Sequence, residues 1–233
     1  MENLSFFKKI YNRLFYFIFI EQFNKKIDFK FPANICRWHF IQTIIKKKKF
    51  KNYLEIGCDN DQTFSKIKIK NKVGVDPISG GTIRKTSDNF FKTNTKKFDI
   101  IFIDGLHHYD QVISDIDNSL KVLNKGGVIL VHDCLPSSLS EQAVPRYKSR
   151  WCGDVWKAIV YYRFNNKLDI FTCGIDLGVA VIRYKKNISV KTKINPQDSS
   201  LKDKIKKFKF LYFYNNYKNL MNLKNYKNSL KYL

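Results

Sequence analysis

The sequence predicts an α/β domain whose sheet is doubly wound and mostly parallel and closes on an antiparallel hairpin. Three observations carry that expectation. Between Lys51 and Tyr184 short apolar runs alternate with helix-length segments, the pattern of βαβ units. Several of those runs stop abruptly at an acid or a glycine, as strands do at the binding edge of such sheets. The last two runs, around "CGIDLG", lie too close together for a helical crossover and must pair antiparallel.

Taken in order, the chain begins with "FFKKIYNRLFYFIFIEQF", which predicts an amphipathic helix. Lys8, Lys9 and Arg13 interrupt it, and its longest uncharged stretch, Leu14 to Ile20, is too short to cross a bilayer; no small-residue cleavage site follows. Its apolar stripe is expected to be a packing face, with a membrane-surface anchor as the second reading. Strands are expected at Tyr53 to Ile56, Lys72 to Val75, Asp99 to Ile103, Val128 to His132, Leu168 to Thr172 and Val179 to Arg183. Between the third and fourth, "YDQVISDIDNSLKVL" places Val112, Ile113, Ile116, Leu120 and Leu123 on one helical stripe, with "KGG" as its C-cap. From Lys185 the composition shifts to Lys, Asn, Tyr and Ser, with "INPQDSS" as a linker and Leu201 to Leu233 as a basic, aromatic-rich helical extension. The expected domains are therefore an N-terminal helical extension over 1–50, the α/β domain over 51–184 and a C-terminal extension over 185–233.

Composition narrows the function classes. The chain has 233 residues, 44% of them hydrophobic, enough for a real core. Lys plus Arg number 43 against 20 Asp plus Glu, a net charge of +23 that raises nucleic acid or an anionic membrane as partner. The lysines are spread along the chain together with many Asn, Ile, Phe and Tyr, as an AT-rich coding sequence would give, so they read as solvated faces rather than a nucleic-acid site. Peripheral membrane contact through the termini stays open. Five cysteines without a C-x-x-C pair exclude a disulfide framework and a zinc knuckle, and suit a reducing cytoplasm.

"YLEIGCDNDQTF" reads as a strand, a turn and a helix start, with Glu55 at the strand end and Gly57 where the backbone turns. Asp76 in "VGVDP" ends the next strand, where a carboxylate is placed to accept both hydroxyls of a ribose. These residues resemble the class I S-adenosylmethionine-dependent methyltransferases, a Rossmann-like family whose first motif is E/D-x-G-x-G-x-G. Glu55 and Gly57 carry over; the later glycine positions hold Asp59 and Asp61. Aspartate tolerates left-handed backbone, so the turn survives. The two acids disfavour a dinucleotide pyrophosphate and favour a cofactor with a sulfonium and an ammonium.

Asp104 and Asp133 end neighbouring strands in "FDIIFID" and "GVILVHD", a pair of oxygen donors suited to a divalent cation such as Mg²⁺; His132 would complete the site for Mn²⁺ or Fe²⁺. The stretch "FIDGLHHYDQVISDIDNSLKVLNKGGVILVHD" resembles the branch with a D-G-x-H-x-Y signature that overlaps the metal-dependent sugar and catechol O-methyltransferases. That resemblance implies a Mg²⁺ ion held by Asp104 and Asp133, and His107 as the base that takes the substrate's hydroxyl proton, with Asp104 also lining the cofactor crevice beside Glu55, Gly57 and Asp76. His108 is left with a helix-start role. A metal-polarised hydroxyl and a neutral imidazole are complementary near neutral pH.

The loop carrying Arg146, Arg150 and Trp151 offers acceptor contacts, and Asp154 reads as an N-cap. Gly80 and Gly81 allow a turn over the cofactor, Ser87 and Asp88 would cap a helix beginning at Asn89, and Asp88 is a further candidate near an adenine. The expected function is S-adenosylmethionine-dependent, divalent-metal-assisted O-methylation of a small acceptor such as a sugar or cell-surface glycan precursor. The alternatives are a metal-independent methyltransferase, or a basic nucleic-acid or membrane-binding protein on a degenerate methyltransferase fold.

Overall fold

A computed structural model describes residues 5–19, 25–146, 149–187 and 200–233. The predicted linker at 194–200 lies outside the described residues except for Ser200. Seven strands form one sheet: β1 (Asn52–Ile56), β2 (Asn71–Val75), β3 (Phe98–Ile103), β4 (Leu123–Val131), β5 (Leu168–Cys173), β6 (Val179–Tyr184) and β7 (Leu223–Lys224), in the order β2-β1-β3-β4-β6-β5-β7. β1 pairs parallel with β2 and β3, and β3 with β4; β6 runs antiparallel between β4 and β5. Reversal between β1 and β3 places the crevice of a doubly wound sheet at the carboxyl ends of these two strands.

The central strands are apolar on both faces because both are covered. Leu54, Ile101, Ile103 and Ile129 pack with Val112, Ile113 and Ile116 of α4 (Tyr109–Val122) and with Trp156 of α5 (Val155–Tyr162). Tyr53, Ile100, Phe102 and Leu130 face the other way, onto Phe40, Ile41 and Ile44 of α2 (Arg37–Lys48). Each such side chain contributes roughly 1.5–3 kcal/mol by leaving water.

Three predicted details are corrected. The "KGG" segment does not cap α4; Leu123 is already extended and β4 begins there. Register against β3 jumps from Phe98↔Leu123 to Ile100↔Val128, so the extra residues form a bulge in which Gly126 takes φ +79. The helix expected from Asn89 is α3 (Ser87–Thr93), and its cap is Thr86, whose side chain accepts from the Asn89 N–H. Both flanks also join the body. α2 covers one face of the sheet, α6 (Leu201–Lys206) and α7 (Phe210–Leu220) bury Leu201, Ile205 and Phe213 in the core, and β7 extends the sheet along β5 before α8 (Tyr226–Tyr232). By contrast α1 (Phe6–Phe19), expected to pack through its apolar stripe, leaves that stripe exposed.

Candidate active site

β1, β3 and β4 end side by side, and the pleat puts Glu55, Phe102 and Leu130 on one face in register. Two residues on, Asp104 and His132 continue that face beyond the sheet. His132 Nδ1 is 3.0 Å from Asp104 Oδ1 and 3.2 Å from Asp133 Oδ2. Asp133 itself sits at φ +59, a left-handed turn that swings its carboxylate back toward Asp104. His107 reaches the same pair from the other side, its Nε2 3.5 Å from Asp104 Oδ1 and 3.3 Å from Asp133 Oδ2. Asp104, His107 and Asp133 thus present three ligand-type atoms within 4.8 Å of one another.

Close packing holds the "DGLHH" loop. Gly57 has φ +84, and a Cβ there would stand 2.3 Å from the Asp104 carbonyl oxygen. Gly153, φ +58, presses on the opposite end: its Cβ would lie 1.9 Å from the His107 carbonyl oxygen. Only glycine fits either position. Trp151 stacks on His107 with ring centroids 5.0 Å apart and meets His108 edge-on at 6.0 Å, while its indole N–H donates to the Ala143 carbonyl. Trp151 is therefore a buried wall behind the histidines, and Arg146 lies over its outer surface at 5.6 Å. Arg150 pairs with Glu141 at 3.0 Å. His108 is the N-cap of α4, as expected, but Asp154 plays a different part. Its side chain makes no cap bond to α5; its Oδ1 accepts from the Tyr109 N–H at 2.7 Å, and its own N–H donates to the His107 carbonyl. It caps the helix that follows the "DGLHH" loop.

Two site residues were missed in the sequence. Arg37, the first residue of α2, places its Nε 3.4 Å from Asp104 Oδ2 and its guanidinium 3.2 Å from Asp176 Oδ2. Asp176 lies in the β5–β6 turn, and its carbonyl accepts from His132 Nε2 at 2.7 Å. Because β6 runs antiparallel to β4, with Val131 opposite Ala180, that turn lands at the carboxyl edge. The "CGIDLG" hairpin was the available signal for Asp176; nothing in the local sequence marks Arg37.

Electrostatics follow from burial and this alternation of sign. Burial would raise the Asp104 carboxyl, but His132, His107 and Arg37 outweigh it and hold the group well below the usual range. Burial favours neutral imidazoles, yet the Asp133 and Asp104 carboxylates raise His107, and Asp104 and Asp133 raise His132 strongly. Both His132 nitrogens face oxygen atoms, of Asp104 and of the Asp176 carbonyl, while the group of three ligand-type atoms is formed by Asp104, His107 and Asp133. Asp133 Oδ1 and His107 Nδ1 are buried without a hydrogen-bond partner among the described residues.

The cofactor-side residues are arranged as follows. Glu55 is 1% exposed and accepts from the Tyr53 hydroxyl. Burial, reinforced by Asp104, raises its carboxyl to about 8. Asp59 and Asp61 occupy left-handed backbone at φ 46 and φ 60, so the turn keeps the shape that glycines would give it. Asp76 Oδ2 accepts from the N–H groups of Cys58 and Asp59 at 3.0 Å each, and Oδ1 from those of Ile78 and Ser79 at 2.8 and 2.9 Å. All its lone-pair sites are thus used by main chain, and its pKa is lowered despite burial. These four bonds make Asp76 a clasp between two loops. Gly81 adds to that clasp by donating to Asp61 Oδ1 at 2.7 Å. Asp88 accepts from Ser114 at 3.0 Å.

Residues 40–134 match the family model described as a methyltransferase domain. The sheet order with its antiparallel hairpin, and the acid and glycine ending β1, agree with that match to a methyltransferase domain. The fold is shared with a Klebsiella pneumoniae protein crystallised as a candidate O-methyltransferase, at 13% identity and TM-score 0.51, covering 66% of this chain and 84% of that one. An SAH-bound methyltransferase from Podospora anserina is similar at 18% identity and TM-score 0.48, over 78% of this chain and 98% of that one. In sequence the chain is 29% identical over 144 residues to an uncharacterized protein of Acanthamoeba polyphaga mimivirus, spanning 46% of this chain and 63% of that relative.

Proposed function

We propose that this protein transfers the methyl group of S-adenosylmethionine to a hydroxyl oxygen of a small acceptor. The observation that carries the reading is the convergence of Asp104, Asp133 and the His107 imidazole at the carboxyl edge of β3 and β4, beside Glu55. His107 is the proton acceptor: its Nε2 is held by the two carboxylates, which leaves the Nδ1 lone pair to take the proton, and Trp151 fixes the ring plane. A base held this way removes the hydroxyl proton as oxygen attacks the methyl carbon and the sulfur leaves with the bonding pair. The developing imidazolium is stabilised by Asp104 and Asp133.

S-adenosylmethionine suits the crevice because it is cationic where the crevice is acidic. Glu55 is a buried acid kept uncharged near neutrality by its surroundings, and a positive group nearby would favour its ionisation. A divalent cation also suits the donor set: Asp133 Oδ1 is a buried carboxylate oxygen without a partner among the described residues, next to Asp104. Asp104 and Asp133 would hold the ion, which when bound would lower the pKa of the acceptor hydroxyl. Mg²⁺ fits two carboxylates completed by water and substrate; if His107 were a third ligand, the mixed set would favour Mn²⁺ or Fe²⁺. A sugar or glycan precursor, with neighbouring hydroxyls, is the acceptor class we favour.

A second reading has its own support. Arg37 and His132 already balance Asp104 and Asp133, so the pair is compensated by the protein's own cations and the transfer would need no metal. Calorimetric titration with S-adenosylmethionine and its demethylated product, followed by turnover on hydroxylated sugars with and without chelator, tests both. Absence of cofactor binding in every condition sinks the proposal, and chelator-resistant turnover selects the metal-free form.

A further inference from the structure

We infer that α1 docks this protein on an anionic phospholipid bilayer surface. A soluble domain buries the apolar stripe of its amphipathic helices; here Phe6, Phe7, Ile10, Tyr11, Leu14 and Ile18 occupy one side of the helix and all are exposed, Phe7 to 81% and Tyr11 to 67%. At 100° per residue they fall within one half of the helical circumference, and Lys8, Asn12 and Arg13 fall on the other, with Phe19 beside them. The helix contains no acidic residue, and the whole chain carries +23.

An aromatic and aliphatic half-cylinder backed by cations is the composition of a helix that lies in the plane of a membrane interface. Apolar side chains enter the acyl boundary while lysine and arginine stay at the level of the lipid phosphates. The sign of the charge selects the occupant. Two copies of this chain brought together through α1 would juxtapose basic helices on basic bodies, whereas an anionic lipid surface complements both. No helix among the described residues is long and apolar enough to cross a membrane, so contact through α1 is peripheral.

The attachment of α1 gives the contact a direction. Ile27 is buried, and its N–H donates to the Ser137 carbonyl at 2.8 Å, on the loop that follows Asp133. Phe29 meets Tyr217 edge-on at 5.2 Å. A bilayer held by α1 is therefore tethered, through a short stretch of chain, to the loop at the rim of the candidate site.

The test is sedimentation of the full chain with vesicles of phosphatidylserine and phosphatidylcholine, and with phosphatidylcholine alone, over a salt series. The wild type is expected to bind the anionic vesicles and to weaken as salt rises. In the F7E/L14E variant, whose substitutions are on exposed positions, partitioning should fall roughly tenfold or more for each side chain. A separate F15W variant should show an emission shift to the blue on anionic vesicles, which adsorption through the basic body alone would not produce. Equal binding by the wild type and F7E/L14E would overturn the inference, assigning adsorption to the general positive charge. So would the absence of binding to anionic vesicles, or a wild-type dimer that the same variant dissolves without any vesicle contact.

Discussion

Replacing Glu55 by glutamine isolates the charge of one buried group. The side chain is 1% exposed, and its carboxyl is raised from 4.5 to about 8 by burial first and by Asp104 next. An acid whose pKa is higher in the folded than in the unfolded chain favours folding below the unfolded value, and that contribution is lost as pH rises through the folded value. Each pH unit in that window costs about 1.4 kcal/mol, so the whole shift amounts to about 5 kcal/mol. Glutamine keeps the shape and an oxygen that can accept from the Tyr53 hydroxyl, but cannot ionise. Urea unfolding of both proteins should therefore give stability differences, variant minus wild type, that grow by about 4 kcal/mol between about pH 5 and about pH 9. Titrating histidines contribute to both proteins and cancel in the difference. Parallel curves would refute the picture of a buried, neutral Glu55. The same logic predicts a linkage to function: S-adenosylmethionine binding near neutrality should release a proton, read calorimetrically in buffers of different ionisation enthalpy, and that release should shrink in E55Q.

Four further perturbations have defined outcomes. His107→Ala should reduce turnover roughly hundredfold while leaving cofactor affinity nearly unchanged, and normal turnover would return the ring to a packing role. Asp76→Ala leaves four main-chain N–H groups without their acceptor, so cofactor-free stability should drop by at least about 2 kcal/mol; an unaltered denaturation midpoint would contradict the clasp. Arg37→Met removes the guanidinium shared by Asp104 and Asp176, leaving them only the histidines, and should cost about 3 kcal/mol in the same assay. Asp154→Ala removes the acceptor at the start of α4 and should cost about 1 kcal/mol, with a larger loss of turnover than a helix cap remote from His107 would give.

The strands were legible because each is an apolar run bounded by turn residues, and the stops at Glu55, Asp104 and Asp133 were legible because acids rarely end such runs without purpose. His107 was marked by its spacing from Asp104. What sequence order hides is lateral proximity. Arg37 lies 67 residues before Asp104 and belongs to no motif; only the packing of α2 against Tyr53, Ile100 and Phe102 brings it to the site. Asp154 looked like the cap of the helix it precedes, yet its carboxylate points to another helix, which local spacing cannot reveal. Asp76 stood at the right strand end for a ribose, but the number of main-chain donors converging on it depends on how two loops fold back. The apolar stripe of α1 was visible, and its exposure among the described residues was not.

The arrangement around Arg37 bears on where this protein's modules begin and end. The family match starts at residue 40 and stops at residue 134, yet the guanidinium that steadies Asp104 comes from before it, and Trp151, Gly153, Asp154 and Asp176 come from after it. A fragment cut at the edges of the match would keep the acids and lose the counter-charge and the wall behind the histidines. The site is thus a joint property of the sheet and of the segments that flank it. Variation in those flanks gives evolution a way to retune the acids without touching them.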